Sequence, residues 1–260
     1  MEKRIQLSHY ALNVQFIGTE FSDETTKPVL IFLHEALGSI VQWKLFPVNL
    51  CNETRLPGIV IERSGHGKSD PLQHPRTKNY LHEYTYELRE VLRELLPLNK
   101  QIILVGHSDG GTIALLYGSL FPENLQKIIT IAAHTFVEPE TINGIPPTVT
   151  AYENGKLDGL KRIHGQKTDE LFYAWANTWL SDEFYSWDIR KEITKVRCSV
   201  LAIQGQNDQY GTMSQLESIQ QAIHDTQLAL LPDCAHHPHL EKQSEVITFV
   251  TGFLATKIVP

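Results

Sequence analysis

Cysteine is scarce in this 260-residue chain: Cys51, Cys198 and Cys234 are odd in number and far apart. With no C-x-x-C pair and no companion sulfur ligand, a disulfide framework and a thiolate metal site are excluded, and reduced, buried thiols are expected. Long apolar runs are missing too, none approaching the roughly 18–20 residues of a membrane span. Residues Met1 to His9 pass straight into an alternating pattern, without the apolar stretch of roughly 7–15 residues that a secretory signal carries. Both absences point to a cytoplasmic protein. Basic clusters are limited to Lys3-Arg4 and Arg190-Lys191, and 30 acidic residues against 23 basic ones leave a net charge of −7. That balance lacks the electrostatic footprint of a nucleic-acid binder. A charge of this size serves solubility and says nothing about a substrate.

What is present is ordinary globular composition, with 42% hydrophobic and 20% charged residues, enough for one sizeable core carrying an insertion. Residues 5 to 17 alternate in polarity and thin out into Gly18-Thr19-Glu20, as antiparallel strands joined by a tight turn do, so a β-hairpin is predicted to open the fold. Short runs rich in Val, Ile and Leu follow, at Val29 to Leu33, Ile59 to Ile61, Ile102 to Val105, Ile128 to Ile131, Val200 to Ile203 and Leu228 to Leu231. Strands apolar on both faces belong in a covered parallel sheet. Between them, Leu81, Tyr84, Leu88, Val91, Leu92 and Leu95 keep helical spacing, as do Val246, Phe249, Val250, Phe253 and Leu254. This alternation predicts an α/β fold with a doubly wound, mostly parallel sheet. It breaks once, between Ala133 and Cys198, where prolines and glycines (Pro139, Gly144, Pro146, Pro147) precede Phe172, Trp175 and Trp179 at helical spacing. Residues 135–194 are therefore read as a helical lid inserted into a core of residues 1–134 and 195–260. No internal repeat or low-complexity segment occurs.

The strongest chemical signal is Gly106-His107-Ser108-Asp109-Gly110, a G-x-S-x-G pattern between a predicted strand and a predicted helix. Such an elbow holds its serine in a strained turn, and the flanking glycines let neighbouring chain pass close. Serine is a weak nucleophile at neutral pH, so it needs a base and an acid to orient that base. In the chain order Ser, Asp, His, Asp208 and His236 each lie just past a predicted strand. A tight turn after the last strand favours His236 over His237 and His239, which read as solvated or core side chains. Two backbone donors must stabilise the tetrahedral oxyanion, and the N–H groups of Asp109 and Ala36 are the candidates. No metal site is read: His236, His237 and His239 lack a further ligand at suitable spacing, and His34-Glu35 lacks the second histidine of H-E-x-x-H.

Taken with His34-Glu35-Ala36-Leu37-Gly38, Glu62 to Ser69 and His236 to Glu241, these pieces span nearly the whole chain, which resembles the α/β-hydrolase superfamily. The resemblance implies a Ser108–Asp208–His236 triad, an oxyanion hole from Ala36 and Asp109, and no cofactor. It implies an ester hydrolase or lactonase, acyl-homoserine lactones being one suggestive class, acting on a small molecule with an apolar acyl part. His134, Trp175 and Trp179 are the pocket candidates, and the protein is expected to be a monomer or homodimer. A serine nucleophile excludes the related dehalogenases and epoxide hydrolases, which use a carboxylate. Two alternatives stay open. One is C–C hydrolysis of ring-cleavage diketones, with Lys161, Arg162 or Arg190 as the anchor for a substrate carboxylate. The other is a ligand receptor on the same scaffold. Where many relatives have His-Gly and Asp-Arg, this chain has His34-Glu35 and Glu62-Arg63. Glu35 is expected to face away from the oxyanion hole, and Glu35 or Glu62 to pair with Arg63.

Overall fold

A computed structural model describes residues 1–18 and 27–256. The hairpin expected at the N-terminus is β1 (Glu2–Gln6) paired antiparallel with β2 (Ala11–Ile17); Thr19 and Glu20 lie outside the described residues. Each apolar run forms a strand: β3 (Val29–Leu33), β4 (Gly58–Ile61), β5 (Ile102–His107), β6 (Leu125–Ile131), β7 (Ser199–Gly205) and β8 (Thr226–Leu231). They assemble into one eight-stranded sheet in the order β1-β2-β4-β3-β5-β6-β7-β8. β2 meets β4 antiparallel, and every pairing from β4 onward is parallel. This is the α/β-hydrolase fold.

Alternate residues of a strand point to opposite faces, and here both faces are covered. Ile31, Leu33 and Leu104 join one buried cluster with α2 (Tyr80–Leu95) and α3 (Asp109–Leu120). Leu30, Phe32, Ile103 and Val105 join another with α1 (Phe46–Thr54) and the helix Gln243–Ala255. α2 presents an apolar stripe of Leu81, Tyr84, Leu88, Val91 and Leu92, whereas α3 is buried almost all round, against β5, β6 and α2. Because the strands from β3 onward run the same way, their carboxyl ends share one edge, and the loops leaving that edge carry the candidate residues.

Between β6 and β7 the chain forms α4 (Pro139–Glu153), α5 (Gly159–His164), α6 (Thr168–Trp179), α7 (Asp182–Tyr185) and α8 (Arg190–Ile193). Pro146 and Pro147 lie inside α4, although proline removes an N–H from the helical ladder. Both are exposed, so water can reach the carbonyls left without a donor. Side chains fasten this segment to the core. His164 accepts from the Gly67 N–H (2.9 Å) and donates from Nε2 to the Leu37 carbonyl (2.9 Å). Lys167 Nζ donates to the carbonyls of Gly67 (2.8 Å) and Ser69, and the Trp179 indole donates to Tyr80 Oη (2.7 Å). Cys51 and Cys234 are buried and Cys198 half-buried, all as free thiols. Among the described residues, no helix is long and apolar enough to cross a membrane.

Candidate active site

Ser108 follows β5 at the N-terminus of α3 with φ 52° and ψ −119°, a left-handed conformation that a non-glycine residue adopts only when its surroundings enforce it. The flanking glycines are the reason it can. A Cβ on Gly106 would strike the Gly110 backbone, and one on Gly110 would strike the Leu33 carbonyl. The elbow thus lifts Ser108 to the sheet edge.

Asp208 sits just past β7 and His236 just past β8. His236 Nδ1 lies 2.9 Å from both carboxylate oxygens of Asp208. Asp208 also accepts from the Tyr210 N–H and from Gln204 Nε2, each at 2.9 Å, which holds it against rotation. Burial opposes charge on both partners, but their mutual charge and hydrogen bond prevail: Asp208 is held below the ordinary carboxyl range and His236 is raised above 6.5. Nδ1 therefore carries the shared proton, which leaves Nε2 able to accept another. Ser108 and His236 line the same cavity. No hydrogen bond joins Ser108 Oγ to His236 in this structure, a looseness common before substrate binds.

The Ala36 and Asp109 N–H groups lie along that cavity, and neither has an acceptor within the described chain. The Ala36 loop is held from behind. Arg63 donates to the carbonyls of His34 and Glu35 (2.8 Å for the latter), and His66 Nε2 lies 3.0 Å from the Ala36 carbonyl oxygen. The expected pairing of Arg63 with a carboxylate is therefore corrected. Glu62 is occupied with Asn13 Nδ2 (2.8 Å) and the N–H groups of Ile40 (3.1 Å) and Lys68 (2.9 Å). Glu35 accepts from the Leu37 N–H (2.6 Å). Loop carbonyls are the better partners here because two of them converge on one planar guanidinium. Nor does Glu35 face away: it lines the cavity, where burial raises its carboxyl pKa.

The cavity, about 210 Å³, also takes in His134, Trp175 and Trp179. Trp179 is more than a wall. Its indole holds Tyr80 Oη, which donates to Asp109 Oδ2 (3.0 Å), so the β6–β7 segment is tied to the residue after the elbow. His134 Nε2 lies 2.9 Å from the Tyr210 carbonyl oxygen. Residues not singled out from the sequence complete the lining: Ile145, Leu157 and Leu160 from the insertion, and Tyr210, whose ring lies 4.8 Å from that of His236. Tyr210 sits two residues after Asp208, and this was its one available signal. His237 lines the cavity as well, whereas His239 is buried behind it against Trp43. Lys161 and Arg190 pair with Asp158 and Asp188, and neither they nor Arg162 line the cavity. Among the described residues, no cluster of His, Cys, Asp and Glu is arranged to hold a metal ion.

A family model described as the alpha/beta hydrolase fold matches residues 28–156. The enol-lactonase structure from Burkholderia xenovorans LB400 superposes with a TM-score of 0.77 at 15% identity, over 98% of this chain and 100% of that one. In sequence, the chain is 24% identical to the 2-hydroxy-6-oxo-6-phenylhexa-2,4-dienoate hydrolase of Burkholderia cepacia, an alignment covering 58% of this chain and 62% of that protein. It is 23% identical to the 2-hydroxy-6-oxononadienedioate/2-hydroxy-6-oxononatrienedioate hydrolase of Escherichia coli (strain K12 / DH10B), covering 94% and 91%. The chain has the fold of the α/β hydrolases, and the family model matches just under half of its length.

Proposed function

We propose that the protein hydrolyses a small carboxylic ester or lactone through an acyl-serine intermediate. The observation that carries this reading is the pairing of a strained, cavity-facing Ser108 with a His236 whose Nδ1 is clamped by Asp208. Ser108 Oγ attacks the carbonyl carbon while His236 Nε2 takes its proton, and the Ala36 and Asp109 N–H groups receive the oxyanion, each donor being worth roughly 3 kcal/mol. The protonated His236 then gives its proton to the departing alkoxide. Water repeats the sequence at the acyl carbon, restoring Ser108 and releasing the acid. With a lactone, the alcohol and acid leave as one hydroxy acid.

The cavity is smaller than the roughly 300–1,000 Å³ of most ligand pockets, which favours short acyl parts, including a short-chain acyl-homoserine lactone. Its insertion-derived lining is mostly apolar, with Ile145, Leu157, Leu160, Trp175 and Trp179 beside Thr141 and Thr148, which suits an apolar group, and the β6–β7 segment acts as the lid. The sequence relatives named for ring-cleavage products favour C–C hydrolysis as a second reading. Against it, among the described residues no Lys or Arg lines the cavity, so a substrate carboxylate would lack a cationic anchor there. The test is to assay the protein and Ser108→Ala on short and long nitrophenyl esters, acyl-homoserine lactones and a ring-cleavage diketone. Turnover of short esters or lactones that disappears in the variant is expected. Activity surviving the substitution would sink the serine mechanism, turnover of the diketone alone would transfer the proposal to C–C hydrolysis, and binding without turnover would indicate a receptor.

A further inference from the structure

Beside the catalytic cavity lies a second chamber of about 130 Å³. Glu35, Gln42 and His237 line both spaces and form the wall between them. The two differ in chemistry. No residue of the 135–194 insertion lines the chamber, and its outer rim carries the exposed Lys44 and Leu240. It therefore opens to solvent on a flank that the lid does not cover.

Four of its lining residues present buried polar atoms with no hydrogen-bond partner: Ser39 Oγ, Gln42 Oε1, Trp43 Nε1 and His239 Nδ1. Ser39, Trp43 and His239 are 0%, 2% and 3% exposed. The lining, which also includes His34, His107 and His237, is polar, and the chamber is roomy enough for water. Burial keeps the surrounding imidazoles neutral, with His107 and His239 well below 6.5 and His237 lowered to about 4. His237 and His239 each keep a donor and an acceptor, His107 keeps only an acceptor because its Nε2–H is held by the His236 carbonyl (2.8 Å), and none carries a charge that would trap an anion.

We infer that this chamber is the entry for the water that cleaves the acyl-enzyme, delivered past Glu35, Gln42 and His237 to His236. The inference rests on the acyl-serine reading above. An acyl group filling the 210 Å³ cavity beneath the lid takes up the space that solvent would need on that side, yet the second half-reaction needs one water at His236 Nε2. The flank entry lets the lid stay closed over the acyl group while water arrives.

The test separates the two half-reactions with p-nitrophenyl butyrate. Rapid mixing reads nitrophenol release for acylation, and mass spectrometry of quenched samples reads the acyl group on Ser108 and its decay. Ser39→Val and His239→Phe fill or dry the chamber without touching the catalytic cavity. Either is expected to keep acylation within two-fold of the parent while deacylation slows at least ten-fold and acyl-Ser108 accumulates; the second stands in if the first does not fold. Unchanged deacylation, or an equal fall in both constants, overturns the chamber's role and leaves the serine mechanism standing. A parent enzyme that turns over without ever carrying an acyl group on Ser108 overturns both.

Discussion

The floor and the roof of the catalytic cavity are built on different principles. The floor is made of short turns that leave buried parallel strands, and its groups are placed by backbone: a left-handed Ser108 between two close-packed glycines, two free N–H groups, and an Asp208 bound by three donors. The roof consists of short helices held down by side chains, through His164, Lys167 and Trp179. Backbone placement tolerates little change in position and suits the reacting groups. Side-chain attachment lets the lining residues vary without moving the nucleophile. The contrast teaches that reaction type belongs to the floor and substrate range to the roof.

The largest way to break this comparison is at Ser108, the proposed nucleophile. Ser108→Ala is expected to lower kcat by on the order of 10⁵-fold while the thermal midpoint stays close to the parent's, since no side-chain bond is lost. Asp208→Asn should cost about 10⁴-fold. It should also move the acid limb of kcat/KM: with Asp208 holding His236 above 6.5, activity falls as pH drops through a midpoint above that value. Without the carboxylate the midpoint should shift down, and an unmoved limb would mean that another group supports His236. Arg63→Met removes the clamp on the Ala36 loop, and kcat is expected to fall about 10²-fold with KM little changed. A rise in KM alone would place Arg63 in binding.

On the roof, Trp175→Ala should change kcat on short esters by less than about ten-fold while shifting preference toward longer acyl chains. An unchanged chain-length profile returns Trp175 to packing. The smallest effect concerns stability. Burial lowers the pKa of His164 to about 4, below its unfolded value near 6.5, so the unfolded chain binds the extra proton first. Stability is complete above about pH 6.5 and declines as pH falls toward 4, by on the order of 3 kcal/mol for this group. His164→Gln, which can keep one of the two bonds, should flatten that decline in urea melts taken across the window.

Much of the floor was legible because its signals are local. Each apolar run became a strand, and an elbow serine, an aspartate after β7 and a histidine after β8 can be read by position alone. Glu35 and Arg63 were not legible in the same way. Their partners are carbonyls and an N–H of the same loop, which charge pairing on paper does not reveal. Tyr210 and His237 enter the cavity through the shape of their turns, and Pro146 and Pro147 inside α4 run against the usual meaning of proline.

By itself, the sequence determined the sheet, its alternation with helices, and the order in which Ser108, Asp208 and His236 reach one edge, because periodicity and turn chemistry are properties of a few neighbouring residues. Only the tertiary structure decided what surrounds them: the bond from Trp179 through Tyr80 to Asp109, the clamp of Arg63 on the Ala36 loop, and the polar chamber behind Glu35. These join residues distant in the chain, and such contacts exist only once the sheet has brought its loops together.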